Sequence, residues 1–189
     1  MAKNLVDFID FNYSESKDFV DAVTKEIWTI NYWQTGKKLA AALEQAGAGK
    51  VRFRYFSQCA FKDDGSLWYD SAYLLRTPHF EPTQPTVINF HKTYVYLFHE
   101  LVHFLHYTQK GFLKYKSDIA EEFTTVGLYD YEFEALSENA LRRETGLPRR
   151  PCYTWQIKSA MYEQERAKRA QSKMPEQNTV GPGSPECRF

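Results

Sequence analysis

The chain has 189 residues, 43% of them hydrophobic and 16% aromatic, and its 24 basic and 24 acidic residues balance to zero. That length and apolar content suit one domain with a substantial core, or one domain and a tail. The charge balance argues against a general nucleic-acid binder, and no run of eighteen apolar residues is present to span a membrane.

Three widely spaced cysteines, Cys59, Cys152 and Cys187, form no disulfide framework and no Cys-x-x-Cys site, which points to a reducing compartment. The N-terminus lacks the basic patch and apolar run of a cleavable secretion signal. Charge is uneven along the chain. Between Arg142 and Lys173 there are nine basic and three acidic residues, which read as a solvated basic helix or as a face for an acidic protein surface.

In chain order, residues 1–14 read as an irregular arm. Ser16-Lys17-Asp18 opens a helix with a capping hydroxyl and an early acid, and Phe19, Val20, Val23, Ile27 and Trp28 follow at helical spacing. Thr35 is a candidate cap for a second helix with Leu39, Ala42 and Leu43 on its apolar face, stopped at Gly47-Ala48-Gly49. Residues 51–56 alternate as a strand does, Asp63-Asp64-Gly65 is a turn, and residues 67–75 supply a further strand. Three prolines mark a loop around His79–Pro85. Thr86–Phe90 is a short strand leading into a helix over about 92–108, ended by Gly111. Further helices are predicted over 117–126, ending at Gly127, from Ser137 to just before Gly146, and over 155–172. Residues 174–189 are rich in Pro, Gly and polar side chains and read as a disordered tail. The predicted organisation is an α+β domain over 15–173, a compact zincin-like fold with a small sheet, between the arm and the tail.

The most informative stretch is His99-Glu100-Leu101-Val102-His103. Positions i and i+4 share a helix face, so both imidazoles can reach one metal ion. Glu100, one residue round, can contact a water held at an open coordination position. Around the motif lie Val95, Leu97, Phe98, Leu101, Val102, Phe104 and Leu105, the packing of a buried helix. The competing reading is a core helix with two satisfied histidines. His79 and His91 read as loop or helix-start polar groups, and His106 as a packed or capping histidine.

A hydrolytic zinc site has three protein ligands. The metzincin pattern fails, because its glycine would fall at His106 and its third histidine at Gln109. That leaves Glu121, Glu122, Glu134 and Glu138 as candidates. Ser137 can cap a helix on which Glu138 and Arg142 pair at i,i+4. The pair reads as a bracket for the loop carrying Arg150 and Tyr153, with Glu138 the reserve third ligand. The Glu134–Glu138 spacing is also that of thermolysin-like enzymes.

The run Glu121-Glu122-Phe123-Thr124-Thr125-Val126-Gly127, followed by Arg150-Pro151-Cys152-Tyr153, resembles the Glu-Glu-x-x-Thr-x-Gly and Arg-x-x-Tyr signatures of clostridial neurotoxin light chains. A closer resemblance covers residues 95–153. There His99–His103, Glu121–Leu128, Ser137–Pro148 and Arg149–Tyr153 are similar, in that order, to the NleD-like effector zinc metallopeptidases; Ser137 replaces a frequent threonine.

The resemblance implies one Zn2+ per chain held by His99, His103 and Glu122. It makes Glu100 the general base, Glu121 a carboxylate behind a ligand histidine, and Arg150 and Tyr153 oxyanion donors. It implies a monomeric, type III secreted effector, delivered to the host cytoplasm without a cleavable signal, that cleaves host proteins such as signalling kinases of the MAP kinase class. The alternatives are a toxin or regulatory zincin acting on bacterial proteins, and a non-catalytic interaction module.

Overall fold

A computed structural model describes residues 3–56, 59–70, 93–110 and 118–150. All lie within the compact unit Met1–Tyr153. Among them are five α-helices and one four-stranded sheet: β1 (Ile9–Phe11), α1 (Lys17–Tyr32), α2 (Gln34–Gln45), β2 (Val51–Tyr55), β3 (Ala60–Phe61), β4 (Ser66–Tyr69), α3 (Thr93–Lys110), α4 (Asp118–Val126) and α5 (Glu138–Glu144). The architecture is α+β, as the sequence predicts. No helix among the described residues is long and apolar enough to cross a membrane.

The sheet order is β1-β2-β4-β3. The first two pairings are parallel, with Ile9 opposite Val51 and Phe53 opposite Leu67; β3 runs antiparallel to β4 at the edge. Parallel neighbours need a crossover, and the α1–α2 pair supplies the one between β1 and β2. Val51, Phe53, Leu67 and Tyr69 are fully buried.

Residues 1–14 are not an irregular arm throughout. A 3₁₀ turn at Leu5–Phe8 leads into β1, and Leu5, Phe8 and Ile9 are buried in the core. Their apolar spacing is too short to register as a periodic element, but burying three large side chains is worth several kcal/mol, at about 1.5–3 kcal/mol each.

Ser16 caps α1, its hydroxyl accepting from the Phe19 N–H at 3.2 Å. Phe19, Val23, Ile27 and Ile30 form the buried stripe, whereas Trp28 is 51% exposed and lies outside it. Thr35 does not cap α2 as expected. The helix begins at Gln34, with Trp33 at the cap position, and the Glu144 carboxylate of α5 accepts from the N–H groups of Gln34 (2.6 Å) and Thr35 (2.8 Å) and from the Thr35 hydroxyl (2.6 Å). α1 and α2 meet closely at Gly36, where an added Cβ would stand 2.0 Å from the Ile30 carbonyl oxygen.

α3 runs through the middle of the unit. Residues 97–105 are buried without interruption, so the helix is enclosed all round. Its first residue is tied down by Glu26 of α1, which accepts from the Thr93 hydroxyl at 2.5 Å and from the Tyr69 hydroxyl. Burial holds the Glu26 carboxyl above its ordinary pKa, against the pull of those two hydrogen bonds.

α4 ends at Gly127, whose φ of +78° favours glycine. The Gly127 and Leu128 N–H groups both return to the Phe123 carbonyl at 2.9 Å. A Cβ at Gly127 would also meet the Ser137 hydroxyl at 2.5 Å. That hydroxyl caps α5, accepting from Ala140 N–H at 3.2 Å. The bare glycine therefore lets the end of α4 and the start of α5 touch. The predicted Thr86–Phe90 strand, the His79–Pro85 loop, the later part of the 67–75 strand, the 155–172 helix and the 174–189 tail lie outside the described residues.

Candidate metal centre

Polar side chains on an enclosed helix must find partners, because an unpaired buried polar group costs about 1–3 kcal/mol. α3 buries three: His99, Glu100 and His103. The partners of the two histidines come from α4 and α5. His99 Nε2 lies 3.0 Å from His103 Nε2, and Glu122 Oε2 of α4 stands 3.1 Å from the first and 3.3 Å from the second. These three atoms form a near-equilateral triangle.

The outer ring nitrogens are also engaged. His99 Nδ1 lies 3.1 Å from Glu138 Oε2, and His103 Nδ1 lies 2.8 Å from Glu121 Oε1. An ionised carboxylate only accepts, so each Nδ1–H donates outward. In the neutral rings this leaves the two Nε2 lone pairs facing each other and facing the Glu122 oxygen. Three such acceptors 3.0–3.3 Å apart repel unless a positive charge lies among them.

A divalent cation fits. With ligand distances of about 2.0–2.1 Å, a tetrahedral ion spaces its donors about 3.3 Å apart. Two imidazoles and one carboxylate are a donor set suited to zinc. Formal charge agrees: Glu100, Glu121, Glu122 and Glu138 against Arg142 and Arg150 leave two negative charges, the complement of a dication. His99, His103 and Glu122 could therefore hold a metal ion.

The chain's own groups already answer this electrostatic demand. Burial opposes charge on His103, but hydrogen bonds to Glu121 and Glu122 outweigh it and push the pKa up to about 10. His99 is raised in the same way, its desolvation outweighed by Glu122 and Glu138. Burial also opposes ionisation of the carboxylates. Even so, the two histidines hold Glu122 well below the usual range, and His103 and His106 bring Glu121 down to about 2.

Glu138 is fully buried and lies behind His99, outside the triangle. Desolvation opposes its charge, but the Arg150 and Arg142 guanidiniums hold it well below the ordinary carboxylate range. Arg142 Nε donates to Oε1 at 2.7 Å, and Arg150 Nη1 to Oε2 at 2.7 Å. The predicted i,i+4 bracket is present, and its glutamate also meets a histidine. Asn139 completes the bracket. Its amide donates to the Gly127 carbonyl (3.1 Å) and to the Arg150 carbonyl (3.0 Å), and it accepts from the Arg150 N–H (2.7 Å).

Glu100 turns towards β3, where Oε2 accepts from the Phe61 N–H at 2.7 Å. The neighbouring Cys59 thiol is pushed well up by burial and then by the charge of Glu100, which removes nucleophilic character from it. Arg150 is brought to the site through Glu138, while Tyr153 lies outside the described residues. The other third-ligand candidate, Glu134, is exposed and makes no part of the triangle.

Sequence reasoning assigned no such contact to His106, Thr125 and Asn139. His106 Nδ1 lies 2.7 Å from Glu121 Oε1, and the Thr125 hydroxyl donates to the same oxygen at 3.3 Å. The signal for His106 was its position, i+3 from His103 and i+7 from His99, on the same helix face. Thr125 is one turn after Glu121, where its hydroxyl can meet that side chain.

A family model described as effector protein, peptidase M91, matches residues 7–153. No curated protein and no solved structure matches the chain.

Proposed function

The chain belongs to the peptidase M91 effector protein family, and from that premise we propose that it is a zinc-dependent endopeptidase of zincin type that cleaves host proteins. The observation that carries the proposal is the triangle of His99 Nε2, His103 Nε2 and Glu122 Oε2, with each outer nitrogen backed by a buried carboxylate.

In this reading His99, His103 and Glu122 hold one zinc ion. When bound, zinc supplies Lewis-acid polarisation of the scissile carbonyl and makes water more acidic. Glu138 and Glu121 keep the two rings in the tautomer that offers Nε2 inward. Glu100 takes a proton from the attacking water and passes it to the leaving amine nitrogen. Its bond from the Phe61 N–H holds the carboxylate on the β3 side of α3. Arg150 and Tyr153 donate to the carbonyl oxygen as it gains charge. A guanidinium has five N–H donors, so the Arg150 bond to Glu138 is compatible with that task. The protein substrate is a host signalling protein of the MAP kinase class, met after delivery into host cells by type III secretion, and the enzyme works as a monomer.

Two measurements on the full chain test this. Metal analysis should find one zinc per chain, and none in His99→Ala. Host lysate incubated with wild-type protein should yield new protein termini that the Glu100→Ala variant does not produce. A metal-free wild type, or identical termini from both proteins, overturns the proposal.

A further inference from the structure

His99, His103 and His106 fall at i, i+4 and i+7 on α3, yet the proposed metal centre uses only the first two. The third converges on it by another route. His106 Nδ1 lies 2.7 Å from Glu121 Oε1, the same oxygen that stands 2.8 Å from His103 Nδ1. The Thr125 hydroxyl donates to that oxygen as well, at 3.3 Å. The other carboxylate oxygen of Glu121 is buried and meets no hydrogen-bond donor among the described residues.

The whole hold on this carboxylate is thus exerted on one atom. A buried, unpaired Oε2 costs free energy and favours rotation towards any donor within reach. Rotation would carry Oε1 off His103 and release its ring. Donors on two successive turns of α3 oppose that movement, because they fix Oε1 from two sides. With His106 gone, only His103 itself and the long bond from Thr125 remain.

We infer that His106 is a positioning residue of the metal centre: acting through Glu121, it fixes the His103 ring and sets how tightly the chain holds zinc. The inference rests on the reading of His99, His103 and Glu122 as the ligand set.

The test is zinc affinity of the full chain, measured by competition with a chromophoric chelator. His106→Leu fills similar volume without a donor. His106→Asn places an amide N–H near the position of Nδ1, and His106→Gln places one near Nε2 instead. His106→Leu should weaken zinc binding by about 10-fold or more, within the range of about 10–100-fold carried by outer partners of ligand histidines. His106→Asn should stay near wild type. On a Glu121→Gln background, His106→Leu should add little further loss, since Glu121 is the path of the effect. Circular dichroism establishes that each variant is folded. Should His106→Leu fail to fold, the comparison of Asn with Gln carries the test, with the weaker binding expected for Gln.

Equal affinities of wild type and His106→Leu, or equal losses in the Asn and donor-misplaced variants, overturn the inference. A wild type that binds zinc while His106→Leu is unchanged sinks the inference alone. A wild type that takes up no zinc sinks the metal-centre proposal and this inference together.

Discussion

Glu138 Oε2 lies 3.1 Å from His99 Nδ1, and the same oxygen accepts from Arg150 Nη1 at 2.7 Å. One fully buried carboxylate therefore joins the first histidine of the His-Glu-x-x-His motif to the arginine of Arg-x-x-Tyr, 51 residues further along the chain. Its second oxygen is taken by Arg142. Glu138 is at once a support for His99 and the counter-charge of two guanidiniums, and this sets it apart from Glu122.

Substitution of the two glutamates should accordingly have opposite signatures. Glu122→Ala should cost most of the zinc affinity, because it removes a triangle atom. Glu138→Ala should cost less affinity but far more stability, since Arg142 and Arg150 lose their shared partner. Breaking a buried ion pair typically costs about 3–5 kcal/mol. Zinc titration and thermal melting of the metal-free proteins check both halves, and a reversed order of zinc affinities would make Glu138 the third ligand.

Glu100→Ala should abolish cleavage while leaving zinc content unchanged. The carboxylate is turned to the Phe61 N–H and is no part of the ligand triangle. The checks are metal analysis together with the appearance of new termini in host lysate, and substantial remaining turnover would remove Glu100 from the role of base.

Tyr153→Phe should lower single-turnover cleavage of a mapped substrate by about 10²–10³ with little change in substrate binding, because the proposed bond forms only as the oxyanion develops. Arg150→Ala should lower cleavage as well, and in addition it should lower the melting temperature, since Glu138 loses a partner within 2.7 Å. Normal turnover in both variants would return Arg-x-x-Tyr to a purely structural part.

Glu144 offers a prediction that depends on pH. Desolvation raises its pKa, but the bonds from the Thr35 hydroxyl and the Thr35 and Gln34 N–H groups outweigh that and leave the carboxyl below its ordinary value. The folded state therefore favours the ionised form. The stabilisation is fully present above the unfolded carboxyl pKa, and it disappears as pH falls through the lower folded value. Glu144→Ala should destabilise the chain by about 1 kcal/mol at pH 7, the usual effect of losing a helix cap. The gap between wild type and Glu144→Ala in urea unfolding should shrink steadily on acidification below the usual carboxylate range. A gap independent of pH would show that the cap does not need the charge.

The sequence by itself determined what depends on local periodicity. Helical spacing places His99 and His103 on one face, Ser16 and Ser137 cap the helices that follow them, and Gly127 ends α4. Glu138 and Arg142 pair because i and i+4 are neighbours on any helix. Alternation likewise marks β2. Only the tertiary structure decided the rest, since those contacts join residues 11 to 110 positions apart, and no local period encodes such pairings. Strand order and the parallel pairing of β1, β2 and β4 are of this kind. So is the core place of Leu5, Phe8 and Ile9, in segments too short to show a pattern. Among four plausible glutamates, packing of α4 and α5 against α3 turned Glu122 to the two Nε2 atoms, and Glu121 and Glu138 to the two Nδ1 atoms. The physical reason is burial: on an enclosed helix every polar atom needs a partner, and the nearest partners belong to whichever elements the apolar core draws together.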